Sequence, residues 1–334
     1  MTHVLLKNGV LVDGFSLRLI NYALKKGQKP VMFLTHFHGD SIQYVPKGIR
    51  NIQACQNIMQ TPEKMMCGRK FCYSMVPGEI SFFKNVGQVV PFLTDHCCNS
   101  VGFWFAKFKV LYVGDSRVNN FLIKNCTNAI EATKNCKEDV LYVVGDGLYM
   151  ETNVVFPSLS ESRSVFSHVI ESCRNEQRVF AVCPHSGVLH FVHEALKNTA
   201  VNFETVTGRS FWKKDCADMA FQMSARKKKG AKTVFLVPGI LGVPKTQKNS
   251  RKFICCKNRH HASEIVSREN EIYILPSSLF FAVNPEFCKN TIVFEKNSKH
   301  LRICTSFHAS KEETLTLMFM FRNAVFQKAP SRPL

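Results

Sequence analysis

The feature that most restricts the fold of this chain is a set of short apolar segments that each stop at a histidine or an aspartate. These segments are residues 30–35 before His36, 88–93 before Asp95 and His96, 110–113 before Gly114 and Asp115, and 140–144 before Gly145 and Asp146. Short apolar runs rich in β-branched and aromatic residues predict buried strands. Functional side chains commonly follow the ends of such elements, so the pattern predicts a sheet with a histidine and aspartate cluster at one edge.

The densest part of this pattern is T-H-F-H-G-D at residues 35–40. His36 and His38 are two residues apart after a predicted strand, so both rings can point at one ion. Imidazole and carboxylate groups suit zinc and similar divalent ions. Asp40 can hold a second ion or the attacking water, and His308 also follows an apolar segment, at 301–305. These residues predict a divalent-metal site.

The pattern changes after Pro157. Helical spacing over 161–174 and 190–198 alternates with apolar runs at 179–182 and 201–206, which predicts a small parallel α/β unit. Residues 213–261 are basic, and His260 and His261 within them are interpreted as part of a solvated loop. The chain then returns to a strand, and a last helix is predicted over 311–326. His190 and His193 are interpreted as surface or core histidines.

The composition is that of a folded protein, with 45% hydrophobic residues, and the net charge of +19 favours a polyanionic partner such as nucleic acid. The fourteen cysteines include no C-x-x-C pair, so we expect free thiols in a reducing compartment. No run of 18 apolar residues and no secretory signal is present, and we expect no membrane partner.

These motifs resemble the metallo-β-lactamase superfamily, and within it the β-CASP nucleases of the DNA cross-link repair family, the Artemis- and Apollo-like 5′-exonucleases. Further segments that carry the resemblance are V-D-G-F-S-L-R at 12–18, D-H-C at 95–97, G-D-S-R at 114–117, D-G-L-Y at 146–149, F-P-S at 156–158 with Glu161, S-F-H-A-S at 306–310 and P-S-R-P at 330–333. The resemblance implies an α/β fold, with a metallo-β-lactamase αββα sandwich formed by residues 1–152 and 300–334. It also implies an inserted β-CASP α/β domain at 153–299.

The resemblance implies a role for individual residues as well. The implied ligands are, for a first metal ion, His36, His38, His96 and Asp115, and for a second ion, Asp40, Asp115 and His308. The family has another histidine where this chain has Ser41, so the second site is one ligand short. We therefore expect one Zn²⁺ ion, with Mg²⁺ or Mn²⁺ as alternatives. The implied catalytic residues are Asp40, Asp115 and His308, and the further site residues are Asp13, Asp146, Ser186 and Arg117.

The resemblance and the charge together predict metal-dependent hydrolysis of phosphodiester bonds in DNA. They imply a monomeric, nuclear 5′-exonuclease of DNA repair that acts on single strands or strand ends, in interstrand cross-link repair or at telomeres. One alternative is an RNA-processing β-CASP nuclease. Such enzymes carry a further histidine after the last helix, and this chain has none after His308. The other alternative is a catalytically weak or inactive nucleic-acid-binding relative, which Ser41 favours.

Overall fold

The chain divides into two compact units. In the computed structural model the described residues are 4–6, 9–13, 22, 24–28, 31–36, 52–55, 72–97, 99–184, 186–212, 214–225, 229–238, 253–284, 287, 292–296 and 299–328. The first unit comprises Met1–Asn153 and Phe307–Leu334, and the second comprises Val154–Ser306. The predicted return to the first domain at residue 300 is therefore too early. Residues 300–304 belong to the second unit because they form a strand inside its sheet.

The secondary structure follows the predicted alternation of strands and helices. The strands are β1 Val4–Leu6, β2 Val10–Val12, β3 Val31–Phe33, β4 Ile52–Cys55, β5 Cys72–Met75, β6 Ser81–Phe83, β7 Gly87–Leu93, β8 Val101–Phe105, β9 Val110–Gly114, β10 Tyr142–Gly145, β11 Arg178–Cys183, β12 Val201–Thr205, β13 Lys232–Pro238, β14 Phe253–Cys256, β15 Glu271–Ser277, β16 Ile292–Glu295, β17 His300–Cys304 and β18 Val325–Lys328. The α-helices are α1 Asn120–Ala132, α2 Leu159–Ser172, α3 Ser186–Leu196, α4 Lys214–Ser224, α5 Arg259–Ser267, α6 Leu279–Val283 and α7 Lys311–Met320.

Two sheets of the first unit pack face to face. Within the described residues their strand orders are β1-β2-β3-β4-β5 and β18-β10-β9-β8-β7-β6. Phe33 of β3 contacts Phe103 and Phe105 of β8, with ring centroids 5.5 and 5.2 Å apart and edge-to-face geometry. These rings lie in one buried cluster that takes residues from both sheets. The two sheets therefore share a hydrophobic core, as a β-sandwich requires.

Helix α1 covers the outer face of the second sheet. Its buried residues Leu122, Cys126 and Ile130 recur every fourth position and join a cluster with Trp104 of β8. The Asn119 side chain accepts a hydrogen bond from the Leu122 amide at 3.0 Å and begins the helix. Because the second sheet has a core on both faces, every residue of β8 is buried. This arrangement has the two packed sheets and the outer helix of the predicted α/β sandwich.

The last helix is shorter than predicted. Helix α7 ends at Met320, and residues 325–328 form β18, which pairs with β10 in parallel register from Val325 opposite Tyr142. The Val325 amide donates to the Leu141 carbonyl at 2.8 Å. Val325 and Phe326 are residues that favour strands, and here they satisfy the hydrogen bonds along β10. The predicted helix over 311–326 is therefore wrong in its last turns.

The second unit is the predicted parallel α/β unit. Its sheet has the order β12-β13-β11-β15-β17-β16-β14, in which the first five strands are parallel, β16 is antiparallel to β17 and β14 is antiparallel to β16. The described part of the basic region contains elements that the sequence did not predict, and two of them bear on the earlier interpretation. One is β13, which lies between β11 and β12, and the other is α5, which contains His260 and His261. Among the described residues no helix is long and apolar enough to cross a membrane.

Candidate metal centre

The first candidate group of ligands consists of His36, His96 and Asp115. They follow β3, β7 and β9, the strands that the sequence predicts to end at these residues. One potential ligand atom from each side chain lies within 4.8 Å of the other two. The rings of His36 and His96 are buried, and their centroids are 4.8 Å apart. Two imidazoles and a carboxylate form a donor set that fits Zn²⁺ or a similar divalent ion.

The position of Asp115 depends on the glycine that precedes it. Gly114 has a φ of +67°, a left-handed conformation that glycine adopts at little cost. A Cβ atom at Gly114 would lie 3.1 Å from the ring of Tyr112. The left-handed conformation of Gly114 turns the chain at the end of β9, directly before Asp115. The backbone conformation therefore favours glycine at position 114, and the aspartate at position 115 supplies a candidate ligand.

A chain of hydrogen bonds from Asp13 holds His36. The amide and the hydroxyl of Thr35 donate to the two carboxylate oxygens of Asp13 at 2.8 and 2.5 Å, and the Tyr112 hydroxyl donates to Asp13 at 3.3 Å. Because the Thr35 hydrogen is used on Asp13, its Oγ1 accepts from Nδ1 of His36, 2.7 Å away. Nδ1 of His36 then carries the ring proton, and Nε2 keeps the lone pair.

A backbone carbonyl holds His96 in the same tautomer. Nδ1 of His96 lies 3.0 Å from the carbonyl oxygen of Phe307. A carbonyl oxygen can only accept, so Nδ1 of His96 is the donor and Nε2 keeps the lone pair. Metal-binding histidines in proteins almost always donate their second ring nitrogen to a carboxylate, a carbonyl or water. His36 and His96 both have this arrangement.

A second group shares Asp115 and adds Asp146 and His308. Potential ligand atoms of these three residues also lie within 4.8 Å of one another. Nδ1 of His308 is 2.7 Å from Oδ2 of Asp146, and the His308 ring centroid is 4.9 Å from that of His96. Gly145 precedes Asp146 and packs tightly, since a Cβ atom there would lie 3.1 Å from the ring of Phe326.

The electrostatics of the site favour a charged carboxylate at Asp115. Burial by itself raises the pKa of Asp115, but His308, His96 and His36 outweigh it and lower that pKa to about 2. Burial, together with the neighbouring His308, lowers the pKa of His96. These shifts favour an ionised carboxylate at Asp115 and a neutral imidazole at His96, which are the protonation states that bind a metal ion.

Asp13 has a different environment from Asp115. It is 4% exposed, and burial raises the pKa of its carboxyl group to about 7 despite the hydrogen bonds from Thr35. Its backbone also adopts a left-handed conformation, with a φ of 43°. Asp13 therefore occupies a strained and desolvated position, which is consistent with a role in holding other side chains.

Arg117 connects the loop of Asp115 to the start of α7. Its guanidinium donates to both carboxylate oxygens of Glu313 at 2.6–3.0 Å, and its side chain is 5% exposed. Glu313 also accepts from the Ser310 amide at 3.2 Å, and its own amide donates to Ser310 Oγ. This capping box begins α7 two residues after His308. Arg117 therefore fixes the segments that carry Asp115 and His308 relative to each other.

Several residues that the sequence analysis names have side chains outside the described part of the chain. His38, Asp40 and Ser41 lie outside the described residues. Ser186 is the first residue of α3 in the second unit, and its side chain is outside the described part.

Sequence reasoning assigned Asp146 only a general site role, and it missed Thr35 and Glu313. Asp146 stands at a strand end like the metal ligands, and Ser310 and Glu313 form a recognisable S-x-x-E capping pattern. Both signals were therefore present in the sequence. For Thr35 the only signal is its place directly before His36.

Comparisons with known proteins concern the fold alone. No family model and no curated protein sequence matches this chain. One similar solved structure is the metallo-β-lactamase IND-7, with 18% identity and a TM-score of 0.27, over 42% of this chain and 75% of that one. Another is the B3 metallo-β-lactamase BLEG-1, with 19% identity and a TM-score of 0.25, over 34% of this chain and 65% of that one. The chemistry of this chain is therefore inferred from its own residues.

Proposed function

We propose that this chain is a metal-dependent hydrolase that cleaves phosphodiester bonds in DNA. The observation that supports this most is the arrangement of His36 and His96 around Asp115. Each ring has its Nδ1 held by an oxygen acceptor, and both rings lie close to an ionised carboxylate. Histidines that only filled a hydrophobic core would not need both Nδ1 atoms held by oxygen acceptors beside a carboxylate.

A divalent ion held there would supply Lewis acidity toward a phosphoryl oxygen and toward the attacking water. Asp115 belongs to both ligand groups, so His308 lies beside the residues that would hold an ion. His308 has a carboxylate partner, whereas His96 has a carbonyl partner. Because Asp146 stabilises the charged ring, we assign His308 as the proton donor to the leaving oxygen. Ligation of a second ion by His308 is the alternative role.

The substrate class follows from charge and from the family resemblance. Forty-four basic residues against 25 acidic residues give the net charge of +19, which attracts a phosphate backbone. Residues 326–330 correspond to the stretch where RNA-processing β-CASP nucleases carry a further histidine, and they contain none, which favours DNA over RNA. The resemblance adds 5′-exonuclease polarity, single strands or strand ends as substrate, and a nuclear role in DNA repair. These finer features are part of the proposal.

The direct test uses end-labelled single-stranded DNA, incubated with the purified chain and with Zn²⁺, Mn²⁺ or Mg²⁺. We expect a ladder of products that shortens from the 5′ end and that disappears in Asp115→Asn. Asp139→Asn is the matched control, because Asp139 is a carboxylate of the same unit that pairs only with the partly exposed Lys109 among the charged groups described. Equal cleavage by the wild-type chain and Asp115→Asn would remove this site as the source of the activity.

The second candidate function is a DNA-binding protein without catalysis. It is favoured by Ser41, which stands where the resembling family has a metal-binding histidine. This candidate predicts DNA binding without cleavage under all three metals. Gain of cleavage in Ser41→His would then indicate that the missing ligand is what separates the chain from an active nuclease.

A further inference from the structure

We propose that α3 in the second unit carries a separate site for a divalent transition-metal ion, formed by His190, His193 and Glu194. One potential ligand atom from each of the three side chains lies within 4.8 Å of the other two. The two histidines are three residues apart, and Glu194 is four residues after His190, so all three share one face of the helix. This proposal does not rest on the proposed DNA hydrolysis.

The exposure of the three residues suits an accessible site. All three are partly buried, and the side chains of His193 and Glu194 are 42% and 23% exposed. Nδ1 of His193 lies 3.6 Å from Oε1 of Glu194, so small side-chain rotations bring both atoms to one ion. Because a single helical turn supplies every ligand, the ligands occupy one side of the ion. The remaining coordination positions face solvent and take water or another small ligand.

The neighbouring charges select the class of ion. Nζ of Lys197 lies 2.6 Å from Oε2 of Glu194, so an incoming ion competes with a lysine for the one carboxylate. Mg²⁺ and Ca²⁺ depend on oxygen ligands, which makes them poor competitors at this position. Zn²⁺, Ni²⁺ and Cu²⁺ bind imidazole well, and the two histidines supply it. We therefore infer a site for these softer ions.

The experiment is a calorimetric titration of the full chain with Zn²⁺, repeated with Mg²⁺. We expect a class of Zn²⁺ sites that His193→Ala weakens by about tenfold or more, since even the partners of metal ligands change affinity by about 10–100-fold. Lys197→Met removes the competing cation and should strengthen the same class. Mg²⁺ should not bind it.

Two controls separate this site from the Asp115 centre and from general surface binding. Asp115→Asn should leave the α3 class unchanged, so loss of one site does not imply loss of the other. His260→Ala, which removes an exposed histidine of α5, should have no effect. An unchanged Zn²⁺ titration in His193→Ala, with a native circular-dichroism spectrum, would overturn the proposal. An equal loss in His260→Ala would also overturn it.

Discussion

At the scale of single residues, the centre depends on hydrogen bonds that choose one nitrogen of each histidine. Asp13 and Thr35 act on His36 without being ligands themselves, and Phe307 acts on His96 through its carbonyl. Such partners fix the tautomer and the direction of the lone pair, so they control how well an ion is held. Variants of these partners test the geometry without removing a ligand.

Thr35→Val tests the link from Asp13 to His36. Valine has nearly the shape of threonine but lacks the hydroxyl, so Nδ1 of His36 loses its acceptor. We expect the affinity for zinc to fall by about 10–100-fold, measured by competition with a coloured chelator. Thr127→Val is the control, because Thr127 donates only to the Ile123 carbonyl of α1 among the contacts described. Equal zinc affinity in both variants would exclude the link.

Asp146→Asn tests the assignment of His308 as a proton donor. Asparagine keeps the size of the side chain but no longer stabilises a charged ring at 2.7 Å. We expect the cleavage rate at saturating DNA to fall by about a hundredfold or more, as losing a general acid commonly does. The zinc bound by His36, His96 and Asp115 should stay in place. A variant that loses zinc together with activity would make Asp146 a ligand instead.

At the scale of elements, the Arg117–Glu313 pair joins the turn after β9 to the start of α7. The two side chains are 5% and 20% exposed, so Arg117→Met leaves the partly buried Glu313 carboxylate without its ion pair. We expect Arg117→Met to lower the free energy of unfolding by about 3 kcal/mol, measured by urea denaturation.

The double variant Arg117→Met/Glu313→Leu completes that test. It leaves no unpaired charge, so most of the stability should return, except for about 1 kcal/mol from the lost cap of α7. A double variant as unstable as the sum of both single variants would mean that the two residues do not interact in solution.

The elements also show which part of the structure can be predicted from sequence. Strands β8 and β9 are apolar throughout and buried, and the middle of β7 is apolar and buried, so these strands are easy to predict, and the ends of β7 and β9 locate His96 and Asp115. β13 was missed because charged residues surround it and only pairing with β11 and β12 makes it a strand. β18 was missed because the apolar spacing of α7 continues into it. Tertiary pairing outweighed local pattern in both cases.

At the scale of the whole molecule, the same limit applies to the domain boundary. The apolar segment at 301–305 was assigned to the first domain because His308 follows it closely. The structure pairs β17 with β15 and β16 of the second unit, and the first unit resumes at Phe307. The sequence therefore predicted the site position of His308, but it did not predict which sheet contains the strand before it. The sheet to which β17 belongs depends on its pairing with β15 and β16, which the sequence of β17 by itself does not reveal.

The net charge gives a prediction for the whole chain. With +19 charges, binding to single-stranded DNA should release many counterions, and the logarithm of affinity should fall linearly with the logarithm of salt concentration. The slope is about −0.7 per neutralised phosphate for a single strand. Fluorescence anisotropy over a series of salt concentrations measures it. An affinity that barely changes between low and physiological salt would argue against nucleic acid as the partner.

The metal centre is tested most simply by the zinc content of protein that carries His193→Ala, so that α3 does not contribute. We compare this variant with His193→Ala/Asp115→Asn after dialysis against a weak chelator, using elemental analysis. We expect about one zinc ion per chain in the first protein and clearly less in the second, because Asp115 belongs to both groups of candidate ligands and is the carboxylate of the first group. Equal zinc content in the two proteins would contradict the assignment of Asp115, His36 and His96 as a metal centre.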